Sequence, residues 1–140
     1  AGGLKGMEAC IDATIAYTRE RKAFGQSILD NQVVHYRLAE LQTEVEALRA
    51  LTYDAVEGYI HGEDVTMKAS MAKLKASTVA RMAADHAVQI HGGYGYTKEY
   101  AVERYYRDAK VTELYEGTSE IQRIVIANSA LRQKEGKASA

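Results

Sequence analysis

The stretch "VVHYRLAELQTEVEALRALTYDAVEGYI", residues 33–60, decides the fold. Val34, Leu38, Leu41, Val45, Leu48, Ala55 and Tyr59 recur along it at three- and four-residue spacings, with Thr52 the polar residue on that line. This is the period of one apolar helix face, sustained over roughly seven turns. "YIHGEDVT" ends the helix, with Gly62 as a left-handed C-cap and Asp64 as the N-cap of the next one.

Outward from there the same period continues. Upstream, Leu4, Met7, Ile11, Ile15 and Thr18 form one face of a helix to about Arg21. "KAFGQSILDNQ" breaks it at Gly25, and Asp30 or Asn31 caps the long helix. Downstream, Met67, Met71, Leu74, Thr78, Met82 and Asp85 share one line, and Ala72, Ala76, Val79, Ala83, His86 and Ile90 a neighbouring one. So much alanine predicts close helix approach. Glycines in "HGGYGY" stop this third helix at Gly92. "TKEYAVERYYRDAKVTELY" reads as a short helix plus a connection. A last, shorter helix starts at Ser119, where Ser119 and Gln122 have capping-box spacing, with Ile121, Ile124, Val125 and Leu131 as its apolar face. Residues 133–140 read as a frayed tail. The expected fold is all-α, an up-down four-helix bundle in a single domain over 1–140.

Composition agrees. The 140 residues contain no proline and are 46% hydrophobic and 26% charged, with a net charge of −1. Absent proline suits uninterrupted helices, and the charge balance gives no footprint for nucleic acid. No apolar run is long enough for an integral membrane segment, and the N-terminus lacks a signal-peptide layout. One cysteine, Cys10, permits no internal disulfide. An intracellular, soluble protein is the expectation. A di-iron bundle needs Glu-x-x-His pairs, and His35, His61, His86 and His91 each lack the glutamate, so no metal is expected.

Three stretches hold residues suited to chemistry. In "RERKAFGQSILDNQ", Arg21 and Lys22 either complement the negative end of a helix dipole, or Arg21 offers a bidentate fork to a phosphate while Phe24 stacks on something flat. In "QIHGGYGY", the glycines either turn the chain or let backbone donors approach a ligand, with Gln89 able to bond it. In "ELYEGTSEIQR", Glu116 stands near a helix start, whose dipole stabilises an ionised carboxylate. A general base for a carbon acid would gain from the opposite influence, desolvation by the flanking Leu114 and Tyr115.

"ERKAFG" with Gln32 following, "QIHGGYGY", "RYYRDAK" and "LYEGTSEIQR", in this order and spacing, resemble the C-terminal helical domain of the flavin-dependent acyl-CoA dehydrogenases, over essentially the whole chain. The resemblance implies a homotetramer, a dimer of dimers. Each subunit has an N-terminal helical domain, a middle β-domain and this C-terminal domain, so the chain is read as part of a larger subunit that does not catalyse alone. It implies FAD as cofactor and removal of the α-proton of an acyl-CoA by a glutamate while a hydride leaves the β-carbon for the flavin. The product is a trans-2-enoyl-CoA, as in fatty acid β-oxidation, and an electron-transfer flavoprotein is the expected acceptor.

Carried over, Glu116 matches the base, with its backbone N–H donating to the thioester oxygen, and Gly117 keeps the acyl slot open. Arg21, Ala23, Phe24 and Gln32 match the segment on a partner subunit's FAD, with Arg21 on the pyrophosphate. Ala23 stands where several members have threonine. Gln89, Gly92 and Gly93 match the segment against the adenosine diphosphate part of a neighbour's flavin, and Thr118 and Glu120 positions beside the subunit's own cofactor. Bacterial cytoplasm and mitochondrial matrix both fit. The rival readings are a non-catalytic assembly subunit and a flavin oxidase on the same scaffold.

Overall fold

A computed structural model describes residues 2–138. The chain is all-α: α1 (Gly2–Glu20), α2 (Gln32–Ile60), α3 (Thr66–His91), α4 (Val102–Val111) and α5 (Ser119–Ala138). A minimal antiparallel hairpin, β1 (Lys22–Ala23) and β2 (Gln26–Ser27), and a 3-10 turn over Ile28–Asp30 join α1 to α2. A second 3-10 turn, Gly92–Tyr96, follows α3. The last helix is as long as the first, 20 residues against 19, and not the shorter one expected. Its helical span reaches Ala138, into the tail read as frayed; residues 139 and 140 lie outside the described residues.

α3 is the hub, packing against α1, α2, α4 and α5. Leu4, Met7 and Ile11 of α1 meet Leu41, Val45 and Leu48 of α2 across Val79 and Ala83 of α3. On the predicted face of α2, Val34, Leu41, Val45, Leu48 and Ala55 are buried and Leu38 partly so, but Tyr59 at its end is 75% exposed. On α3 the buried set includes Ser70, Ser77, Ala84 and His91, seven residues apart. Apolar periodicity misses this line because small polar residues mark the close approach here, as Ser77 shows by donating back to Leu74 O (3.0 Å).

The caps explain the helix ends. Gly62 (φ 79°) closes α2: its N–H donates to Tyr59 O and the Glu63 N–H to Gly58 O, the paired bonds of a Schellman ending. Asp64 accepts from both the N–H and the hydroxyl of Thr66, acting one residue outside the cap position, which Val65 fills. Ahead of α2, Ser27 and Asp30 make a reciprocal capping box on the 3-10 turn, and Asn31 stands at the α2 cap without a side-chain bond to it. At α5 the cap is Thr118 and not Ser119: Thr118 Oγ1 accepts from the Ile121 N–H (3.4 Å), while Ser119 is buried. The apolar residues expected to seat α5 are largely outward, with Ile121, Ile124 and Leu131 all at least half exposed.

Candidate functional site

Two of the three sequence motifs meet. Arg21 follows the last turn of α1, its N–H bonded to Tyr17 O (2.9 Å) and its carbonyl accepting from the Ile28 N–H (2.9 Å). Ser27 Oγ donates to Thr18 O (2.6 Å), tying the hairpin onto α1. The hairpin turn has Phe24 and Gly25 both at positive φ (53° and 81°), the conformation of a tight two-residue turn. This leaves Phe24 projecting fully into solvent.

Beside it, Gly92 and Gly93 leave the end of α3. Tyr17, Arg21, Ala23, His91, Gly92 and Gly93 all line one open cleft of about 460 Å³. Beneath it lies an aromatic layer. Tyr17 stacks on His91 with ring centroids 4.0 Å apart, Tyr100 packs edge-on against both, and the Tyr17 hydroxyl donates to His91 O (3.2 Å). The Arg21 guanidinium lies over the Tyr94 ring, 5.2 Å from its centroid.

His91 is 4% exposed, and its Nδ1 carries the proton toward Ala87 O (2.7 Å). Burial holds its pKa below the usual imidazole value, opposed by that backbone bond. Burial likewise raises the Tyr17 phenol, which Arg21 opposes. Gln89 and Gln32 are exposed at the last turn of α3 and the first residue of α2, and neither lines the cleft.

The third motif forms a separate structure between α4 and α5. Glu116 is exposed, at φ 53°, and is followed by Gly117 at φ 86°. A left-handed non-glycine residue costs roughly 1–2 kcal/mol and persists where its surroundings impose it. Glycine suits 117 by its positive φ; the Gln122 amide that a Cβ would meet at 2.6 Å is the end of a flexible side chain and can shift. The Gln122 side chain turns back toward Glu116 O (3.5 Å) and Gly117 O (3.3 Å) and does not complete a box with Ser119.

Lys73 of α3, which the sequence reading missed, donates to Thr112 O and Gly117 O, both at 2.8 Å. Glu113 anchors the start of the turn through Arg81 (3.2 Å) and Lys110 (2.6 Å), and its carbonyl accepts from the Ser119 N–H (3.0 Å). Its carboxyl is held below the ordinary range, chiefly by Lys110. Thr118 is half-buried and Glu120 exposed, with Arg123 3.5 Å away. Leu114 and Tyr115 are 58% and 48% exposed, so they do not supply the desolvation expected of them. A larger cleft of about 850 Å³ between α3 and α4 ends at Leu114, two residues before Glu116.

The family described as "Acyl-CoA dehydrogenase, C-terminal domain" matches residues 1–131. The chain belongs to the acyl-CoA dehydrogenase family and corresponds to that C-terminal domain. It is 47% identical over 125 residues to a probable acyl-CoA dehydrogenase of Bacillus subtilis, covering 89% of this chain and 33% of the relative. It is 44% identical over 126 residues to a subunit of the caffeyl-CoA reductase–Etf complex of Acetobacterium woodii, covering 90% and 33%. Among solved structures, the butyryl-CoA dehydrogenase of Megasphaera elsdenii superimposes with a TM-score of 0.89 at 40% identity, over 92% of this chain and 34% of that one. The chain thus spans about a third of the length of the curated relatives it matches.

Proposed function

We propose that this chain is the part of an FAD-dependent acyl-CoA dehydrogenase that supplies the base, Glu116, and an arginine–glycine contact to the flavin of a neighbouring subunit. The observation that carries the reading is the Glu116–Gly117 turn. A carboxylate carried by a strained backbone residue, on a turn held from several sides, suits a base that must meet one proton of a thioester substrate. An α-proton beside a thioester is weakly acidic, so Glu116 removes it while donors to the thioester oxygen, the Glu116 N–H among them, stabilise the enolate-like charge. Because Leu114, Tyr115 and Glu116 are all exposed in this chain, the shielding of the carboxylate comes from the rest of the enzyme.

Arg21 fits a diphosphate through its bidentate fork. Its guanidinium adjoins exposed Gly92 and Gly93, around which an added Cβ would meet nothing within 4 Å, so a ligand has room to approach the backbone. Arg21 with the two glycines would hold the pyrophosphate end of FAD, bordered by Ala23 and Phe24, while Gln89 and Gln32, which lie outside this cleft, would meet other parts of that flavin. Thr118 and Glu120 would border the subunit's own flavin. When bound, the flavin supplies the acceptor for the hydride from the β-carbon. The outward Ile121, Ile124 and Leu131 of α5 and the projecting Phe24 support burial against other subunits, in keeping with a tetramer.

The relative named as a caffeyl-CoA reductase–Etf complex subunit favours a second reading. In it the same carboxyl returns a proton to the α-carbon of an enoyl-CoA, with an electron-transfer flavoprotein as partner. Anaerobic titration of the full-length flavoprotein with butyryl-, octanoyl- and palmitoyl-CoA tests the first. Bleaching of the oxidised flavin absorbance is expected with at least one of them. No bleaching with any, flavin being bound, would overturn it.

A further inference from the structure

The segment around Glu116 carries a strained residue, and the nearby sequence holds it through the Gln122 amide and the Lys110–Glu113 pair. Glu116 and Gly117 have consecutive positive φ, as Phe24 and Gly25 do; the strain falls on the non-glycine Glu116, and a further support reaches this turn from outside the local sequence. The external group is Lys73, more than forty positions upstream on α3. Its ammonium is half-buried and bonds to two carbonyls, Thr112 O at the end of α4 and Gly117 O immediately after the carboxylate-bearing residue.

A lysine on Thr112 O alone would be an ordinary helix C-terminal contact, complementing the dipole. The second bond changes its part. One cation joins the two ends of the 112–117 turn, and the two carbonyls cannot move apart without losing it. The other support on the Gly117 carbonyl is the Gln122 amide at 3.3 Å, the longer contact. The Tyr115 ring, 6.0 Å from the ammonium, covers the same group from the turn itself.

We propose that Lys73 is a positioning residue for Glu116, a charged clamp on backbone carbonyls that fixes the left-handed turn and with it the direction of the carboxylate. This rests on the reading of Glu116 as the base. Lys73 touches no substrate; it acts through the turn.

The test uses full-length, flavin-loaded enzyme. Lys73→Met keeps most of the apolar stem and removes the donors. Hydrogen exchange of the amides in 112–119 should quicken at least about tenfold while α1 and α2 stay protected. The kcat on an acyl-CoA that bleaches the wild-type flavin should fall on the order of 10²-fold, as for a misplaced catalytic group, with KM within about twofold. Lys73→Arg, whose guanidinium also donates to carbonyls, should restore part of both. Unchanged exchange in 112–119, or quickened exchange with unchanged kcat, would overturn the proposal.

If Lys73→Met yields no folded protein, Lys73→Gln, shorter and neutral, is held to the same two criteria. Loosening spread equally over α3, α5 and the turn would mark a purely structural lysine and also overturn it. Glu116→Gln in the same assays keeps the two readings apart. Normal turnover there removes the catalytic reading itself, whereas an inactive Glu116→Gln beside a fully active Lys73→Met removes only the positioning role.

Discussion

The Arg21 cleft and the Glu116 turn are held in opposite ways. Under Arg21 lies an aromatic layer of Tyr17, His91 and Tyr100, part of the buried interior between α1 and α3. The Glu116 turn has no such floor; it is pinned by polar contacts to carbonyls and by ion pairs from Arg81 and Lys110. Disturbing the first region therefore costs stability, and disturbing the second costs geometry.

Tyr17→Ala is the severest way to probe the difference. It removes a stacked, buried ring, and a loss of about 3–5 kcal/mol in unfolding free energy is expected of the full-length enzyme, read by denaturant titration. A loss under about 1 kcal/mol would break the contrast. Arg21→Ala then separates the outer layer from the floor. The side chain is exposed, so stability should hold while flavin is retained roughly 10- to 100-fold less tightly on dilution, the cost of a lost charged hydrogen bond. Gly117→Ala sharpens the other half: about 1–2 kcal/mol of local strain is expected from its φ alone. Turnover should suffer more than the thermal midpoint, and a large midpoint drop with normal turnover would contradict that.

The smallest effect is a pH dependence. His91 is depressed in the folded protein, so the unfolded chain takes up its proton first as pH falls. Its neutral burial is free of penalty above the unfolded value of about 6.5, and stability is lost progressively below it. His91→Gln should flatten the stability profile below about pH 6.5, and an unchanged slope there would show that His91 is not its source.

How far the sequence could be read follows the same division. The α2 face from Val34 to Ala55 and the Gly62 ending follow from apolar period and glycine chemistry, whereas the meeting of "ERKAFG" with "HGGYGY" in one cleft appears only in the fold. The small-residue line Ser70–Ser77–Ala84–His91 carries no apolar period, because close packing selects size and not hydrophobicity. The hairpin with Phe24 at positive φ was invisible, since phenylalanine gives no turn signal. Lys73 could not be found at all: a lysine among many on a helix gains its part only when the fold brings it to Thr112 and Gly117.

The central claim is that Glu116 takes the α-proton. The most direct measurement is solvent exchange at that carbon: full-length wild-type and Glu116→Gln enzymes, both flavin-loaded, incubated anaerobically in D2O with an acyl-CoA that bleaches the wild-type flavin, with deuterium at C2 followed by mass spectrometry. Exchange is expected in the wild type, with a rate about 10²- to 10⁴-fold lower in the variant. Equal rates in the two proteins, flavin being bound in both, would contradict it.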